Sequence, residues 1–285
     1  MATLRELLAG PDIVSAPGAP DSITARLVQA AGFPAIYMTG FGATASRLGT
    51  PDIGLLTQTE MTEHARNMVR AVDIPIVADA DTGYGGPSNI ARTIAEYRQA
   101  GVAAVHLEDQ VAPKRCGQLA GIRLTDAEES ADRLRCAVEA RGDADLLIIA
   151  RTDALPAVGP DEALRRAALY AEAGVDLVFV DGIKTIAEVE TVAAGVTGPK
   201  VVSLVDGTEA ARLTAKDLQG LGFDLVLYAV TTLFAATRAA ADALASLAAT
   251  GSPEQGPAKH TYAEYSDLVD LAHHQDLDHR FGGRS

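Results

Sequence analysis

Tryptophan is absent, cysteine occurs twice, aromatic residues make up only 5% of the chain, and no basic run interrupts its acidic balance. Each shortage excludes something. Two cysteines, Cys116 and Cys136, cannot build a disulfide framework, so a cytoplasmic location is the expectation. Lys and Arg number 24 against 38 Asp and Glu, a net charge of −14, which argues against nucleic acid or an anionic membrane as partner. The opening Met1-Ala2-Thr3-Leu4-Arg5-Glu6 is too charged for a secretory signal. No apolar run approaches the roughly 18–20 residues that cross a bilayer. A small anionic substrate stays compatible with this charge, because a bound cation and a few arginines reverse the field locally.

What is present is a 285-residue chain with 48% apolar residues, ample for a large core, and a recurring junction. Ala31-Gly32-Phe33, Ala100-Gly101-Val102, Ala173-Gly174-Val175 and Leu221-Gly222-Phe223 each follow an amphipathic stretch and lead into a short apolar run. A glycine after the last helical turn adopts the left-handed conformation that stops a helix. The runs at Ala35–Thr39, Ala103–Glu108, Asp176–Asp181 and Asp224–Tyr228 read as strands buried on both faces. Ile13–Ala16, Ile74–Ala78, Leu146–Ala150 and Lys200–Leu204 complete eight.

Eight alternating units predict a (β/α)8 TIM barrel over residues 1–250. An open doubly wound sheet is the competitor, but Ala16-Pro17-Gly18-Ala19-Pro20 is no dinucleotide loop. Gly251–Pro257 reads as a linker that opens a C-terminal extension over 251–285. Residues 261–280 read as a helix with Tyr262, Tyr265, Leu268, Val269 and Leu271 on one apolar face, which predicts packing on a second subunit.

In such a barrel, chemistry sits at the C-terminal ends of the strands. The third strand ends in Asp79-Ala80-Asp81, the fourth in Glu108-Asp109-Gln110, the fifth in Arg151-Thr152-Asp153 and the sixth in Asp181. Asp79, Asp81 and Glu108 would repel one another unless a cation lay among them, and a hard divalent ion with oxygen ligands, Mg²⁺ with Mn²⁺ as a substitute, fits. Capping of helices or pairing with arginine is the plainer reading of such acids. Beyond Glu108 lies Lys114-Arg115-Cys116-Gly117-Gln118, where two neighbouring cations predict a thiol of low pKa. Arg151 suits bidentate binding of a carboxylate, with a salt bridge to Asp153 as the alternative. The amides of Thr39, Gly40 and Phe41 are candidates for another anionic oxygen. His106 lies within the fourth strand and reads as packing.

Taken in order, these residues resemble the isocitrate lyase/phosphoenolpyruvate mutase superfamily over nearly the whole chain. The similarity rests on Tyr37-Met38-Thr39-Gly40, Gly49-Thr50-Pro51-Asp52, Asp79-Ala80-Asp81-Thr82-Gly83-Tyr84-Gly85, Glu108-Asp109-Gln110, Lys114-Arg115-Cys116-Gly117 and Arg151-Thr152-Asp153. The resemblance implies bound Mg²⁺, held directly by Asp81 and through waters by Asp52, Asp79 and Glu108. It implies a homotetramer that exchanges its C-terminal helices between subunits. The Cys-containing loop is similar to the 2-methylisocitrate and 2,3-dimethylmalate lyase branch. That branch implies cleavage of a substituted 2-hydroxy di- or tricarboxylic acid to pyruvate or glyoxylate. Cys116 would be the general acid, in a catalytic set with Tyr37, Lys114 and Arg151. Substrate would lie against Thr39, Gly40, Phe41, Asp52, Gly117, Gln118, Asp181 and Ser203.

Oxaloacetate hydrolysis or decarboxylation, P–C bond chemistry and a non-catalytic oxo-acid-binding protein are the alternatives on the same scaffold. The departures from the lyase pattern cluster: Gln118 replaces a His, Ile122 a Lys, Asp181 a Glu, Ser203 an Asn and Ala229 a Pro. By the resemblance, Gln118 and Ser203 fall where a second substrate carboxylate is held.

Overall fold

Strand residues that alternate between two apolar faces build the centre of the molecule. The computed structural model describes residues 2–282; Met1 and residues 283–285, the outer ends of the two expected segments, lie outside the described residues. The chain begins with α1 (Leu4–Leu8), β1 (Val14–Pro17), α2 (Ser22–Ala30) and β2 (Ile36–Met38). Next come α3 (Gly40–Leu48), α4 (Gln58–Ala71), β3 (Ile76–Asp79), α5 (Pro87–Ala100) and β4 (Ala104–Glu108). They are followed by α6 (Ala127–Arg141), β5 (Leu147–Thr152), α7 (Ala154–Val158), α8 (Pro160–Ala171) and β6 (Leu177–Val180). The barrel ends with α9 (Ile186–Gly195), β7 (Lys200–Leu204), α10 (Ala215–Gly220), β8 (Leu225–Tyr228) and α11 (Thr231–Thr250).

The eight strands are parallel, in the order β1-β8-β7-β6-β5-β4-β3-β2, and a single bridge between Gly18 and Tyr37 brings β1 back to β2. This is a nearly closed (β/α)8 barrel, with each expected run supplying its strand. The four junction glycines, Gly32, Gly101, Gly174 and Gly222, all have φ between 83° and 89°. Alternation along the strands sorts their side chains. Tyr37, Val77, Ile149, Phe179, Val201 and Leu227 fill the barrel, whereas Ile36, Met38, Ile76 and Ile148 pack outward under the helices. Each fully buried side chain of this size contributes roughly 1.5–3 kcal/mol relative to exposure.

The C-terminal segment differs from the expected single helix. It forms α12 (Tyr262–Leu268) and α13 (Leu271–Phe281), broken at Asp270, whose φ of 56° is left-handed. Arg26 on α2 donates to the Leu268 carbonyl at 3.2 Å, so the end of α12 is held on the barrel. The break splits the expected apolar face: Leu268 and Val269 are half-buried, while Tyr262, Tyr265 and Leu271 stay exposed. None of α11, α12 and α13 has a buried residue. Among the described residues no helix is long and apolar enough to cross a membrane.

Candidate active site

The C-terminal mouth of the barrel holds a cavity of about 120 Å³. Its lining includes Tyr37, Thr39, Phe41, Asp52, Asp79 and Arg151. Cys116, Gly117 and Gln118 lie over it from the loop after β4, and Asp181 and Ser203 come from the ends of β6 and β7. Phe179, Val205, Ala229, Val230 and Phe234 complete the lining.

Of the residues expected at the site, Gly40, Asp81, Glu108 and Lys114 do not line this cavity. Gly40 is absent for a clear reason. Its N–H donates to Asp79 Oδ2 at 3.1 Å, and a Cβ on Gly40 would sit 2.5 Å from the same oxygen. The Gly40 amide is therefore spent on Asp79 and is not available to substrate, contrary to expectation. Thr39 and Phe41 remain at the wall, beside the first turn of α3, whose amides lack intrahelical partners.

Charge is unbalanced here. Asp52, Asp79, Asp81, Glu108, Asp153 and Asp181 are buried, facing only the buried cations Lys114 and Arg151. Lys114 Nζ donates to Asp52 at 2.8 Å and lies 2.8 Å from Asp81 Oδ1, off the hydrogen-bonding direction. Arg151 donates to Asp153 at 2.8 Å, pairs with Asp181 at 2.5 Å, and approaches Glu108 at 3.4 Å. The salt bridge weighed for Arg151 is thus present, and its guanidinium is largely occupied.

Burial raises the Asp81, Glu108 and Asp181 carboxyls above their ordinary values, because two cations cannot neutralise six acids. Burial also pulls the Lys114 and Arg151 charges down, but the surrounding carboxylates outweigh it and hold both cationic.

These donors fit a divalent cation. Asp81 Oδ1 and both Glu108 oxygens are buried without a hydrogen-bond partner. Among the described residues no three His, Cys, Asp or Glu side chains form a ready-made cage. Unscreened carboxylates spread apart and Lys114 lies between two of them, while an ion such as Mg²⁺ keeps several waters and needs few direct ligands.

The Cys116 thiol is opposite to expectation. Its pKa is pushed up to about 11 by burial, only partly offset by the Gln118 amide, with Asp181 and Asp52 adding to the rise. Arg115 is of little help, since its guanidinium is turned toward the Ala120 carbonyl. The group is a protonated thiol at neutral pH, suited to donate a proton rather than to attack.

Two residues show roles that sequence reading did not assign. Gln110 donates to the Arg115 carbonyl at 2.7 Å and to Asp153 at 3.1 Å, and accepts from the Arg115 N–H at 2.9 Å. It mimics a peptide group and ties the Cys116 loop to the acid that holds Arg151. Its place beside Glu108-Asp109 was the only signal. His106 is fully buried, its Nε2 3.0 Å from the Tyr37 hydroxyl and its Nδ1 3.6 Å from Asp79. Burial lowers its pKa to about 4, so it orients Tyr37 as a neutral ring.

Asp109 works one layer further back. It accepts from the Asp153 N–H at 3.0 Å, the Thr152 hydroxyl at 2.7 Å and Arg166 at 3.0 Å.

The loop tie makes a prediction. Gln110→Ala removes three hydrogen bonds worth about 1 kcal/mol each before water replaces them. Iodoacetamide modification of Cys116 at pH 8 is expected to speed up about tenfold. In the native protein the rate should climb with pH toward about 11. An unchanged rate in the variant would remove the tie from the account.

A cavity at the C-terminal mouth of a (β/α)8 barrel, ringed by ionisable groups, is where enzymes of this architecture work. Residues 4–248 match the family model described as phosphoenolpyruvate phosphomutase. The chain is 38% identical over 281 residues to 2,3-dimethylmalate lyase of Eubacterium barkeri, covering 98% of this chain and 97% of the relative. It superposes on an oxaloacetate acetylhydrolase in complex with the inhibitor 3,3-difluorooxalacetate with a TM-score of 0.93 at 32% identity, over 99% of this chain and 97% of that one. A phosphonopyruvate hydrolase in complex with oxalate and Mg²⁺ gives 0.89 at 30% identity, over 98% and 97%. The chain belongs to the PEP mutase/isocitrate lyase superfamily.

Proposed function

We propose that this protein is a Mg²⁺-dependent carbon–carbon lyase that cleaves a substituted 2-hydroxy acid to pyruvate or glyoxylate and a second fragment. The observation that carries this reading is the protonated Cys116 thiol on the cavity wall, on a loop whose Cys116 N–H donates to the Asp52 carbonyl at 3.1 Å. Asp81 and Glu108 would hold the ion, with Asp52 and Asp79 reaching it through waters. When bound, the ion polarises the C2 oxygen and stabilises the negative charge that builds there.

The chain's own groups do the rest. Thr39, Phe41 and the first turn of α3 receive the carboxylate, and Arg151 adds positive charge beside it. Tyr37, held by His106, donates toward the same oxygen. Lys114 spaces Asp52 from Asp81 and holds its end of the loop near the ion. Gly117 allows the closest approach of that loop, since a Cβ there would collide with Asp181 and come within 2.8 Å of Asp153. Cys116 then protonates the carbon released by cleavage.

A cytoplasmic homotetramer goes with this reading. It is supported by two free cysteines and by the apolar residues left exposed on the C-terminal helices, Phe234, Leu244, Tyr262 and Phe281. Mn²⁺ is expected to replace Mg²⁺. The test is to incubate the protein with 2-methylisocitrate, isocitrate and 2,3-dimethylmalate, with Mg²⁺ or with EDTA, and follow pyruvate and glyoxylate. Metal-dependent release from any of them supports the lyase. A second reading, hydrolysis of oxaloacetate, is favoured by the likeness to the oxaloacetate acetylhydrolase. Oxalate and acetate released from added oxaloacetate, with none of the three hydroxy acids cleaved, would replace the first reading by it.

A further inference from the structure

Arg166 lies on α8 and does not line the cavity, yet it is only 6% exposed. A buried guanidinium is costly unless its donors are met, and here all three nitrogens have partners. Nε donates to Glu162 at 2.8 Å and Nη2 to the Thr125 carbonyl at 2.9 Å. Nη1 donates to Asp109 Oδ2 at 3.0 Å and to the Tyr170 hydroxyl at 3.1 Å. Asp109 is buried too, and among the described residues Arg166 is the one cation that pairs with it. The same carboxylate accepts from the Tyr170 hydroxyl at 2.8 Å. Its other two donors are the residues that follow Arg151 in the chain: the Thr152 hydroxyl at 2.7 Å and the Asp153 N–H at 3.0 Å. Asp153 in turn grips Arg151 with both oxygens, Nη2 to Oδ1 at 2.8 Å and Nε to Oδ2 at 3.2 Å. Thr152 and Asp153 are fully buried, so these bonds are not exchanged for bonds to water.

Resting on the reading of Arg151 as the cation beside the substrate carboxylate, we propose that Arg166 is a positioning residue. Through Asp109 and the Asp153 backbone it sets where the Arg151 guanidinium stands. A carboxylate fixed by four donors cannot shift without moving the end of β5, and the two-pronged Asp153 carries that movement to Arg151. Arg166→Met keeps an apolar stem and removes the cation. Asp109 then retains three donors but has no positive charge to hold it against α8, and the end of β5 loses its fixed point. A misplacement of about 1 Å at a group that binds substrate costs up to about 10²-fold, so a small shift of Arg151 is enough to be measured.

The test measures oxalate affinity in Mg²⁺ for four proteins: native, Arg166→Met, Arg151→Lys and the double variant. Arg151→Lys keeps a cation among the buried acids but gives up the two-pronged grip on Asp153. Arg166→Met is expected to weaken oxalate binding about tenfold in the native background and less than about twofold in the Arg151→Lys background, the non-additivity of residues that act through one another. A residue that serves only the stability of the barrel would give the same loss in both. Equal loss in the two backgrounds, or no loss in the native one, therefore overturns the proposal and leaves the lyase reading standing. Tyr170→Phe removes one hydroxyl from the same carboxylate and keeps the ring, and it takes the place of Arg166→Met if that variant does not fold. Its expected loss is about threefold, again confined to the native background. A native protein that binds no oxalate in Mg²⁺ removes the carboxylate-binding reading of Arg151, and this proposal with it.

Discussion

Asp81→Asn is expected to lower kcat/KM by at least about 10³-fold, the loss that follows from several kcal/mol of charge stabilisation at the reacting oxygen. Asparagine keeps the shape of the side chain, so the fold is retained. What disappears is a buried carboxylate oxygen with no hydrogen-bond partner, beside a Glu108 carboxylate in the same condition. Lys114 does not compensate. It is a single charge held by Asp52 on one side and Asp81 on the other. Thermal unfolding gives a second readout: Mg²⁺ is expected to raise the melting temperature of the native protein and not that of the variant. A variant that keeps both the activity and the Mg²⁺ shift would take Asp81 out of the metal site.

Cys116→Ala should reduce kcat for carbon–carbon cleavage by about 10²–10⁴-fold, the range of general acid catalysis, while Mg²⁺-dependent oxalate binding is preserved. The size of the loss follows from the state of the thiol. With its pKa pushed up to about 11, Cys116 is protonated throughout the neutral range. The sign can be checked in the native enzyme. Its rate should not fall as pH rises from 7 to 9, whereas a thiol of low pKa would lose its proton and its activity over that interval. Retention of full activity in the alanine variant would take Cys116 out of the role of general acid.

Much of the fold is legible in the sequence because strands and helix stops are local. A run such as Lys200–Leu204 and a glycine such as Gly222 declare themselves within a few residues, and the barrel follows from repetition. The acidic strand ends are legible for the same reason: Asp79, Asp81 and Glu108 sit where a parallel barrel presents side chains. Pairing across the barrel is not local.

Lys114 and Asp52 are 62 residues apart, and Gln110 reaches Asp153 across 43. Only the resemblance brings Asp52 forward, and Gln110 shows only as a neighbour of Glu108 and Asp109. The Cys116 thiol departs from the expectation because Arg115 neighbours it in sequence but turns away in space, leaving burial to set the pKa. The Gly40 amide was assigned to substrate because its partner, Asp79, comes from the next strand. Phe234, from the first turn of α11, carries no sequence signal at all, yet it lines the cavity edge-on to Phe41, with ring centroids 6.2 Å apart.

Calorimetric titration of the protein with oxalate, in Mg²⁺ and in EDTA, is the most direct test of a metal-centred oxo-acid site. Oxalate carries the two oxygens that pyruvate or glyoxylate would present and omits the far fragment altogether. The account predicts binding in Mg²⁺ that weakens at least about a hundredfold in EDTA, on the scale of a buried carboxylate deprived of its cation. Equal affinity in both buffers would contradict it.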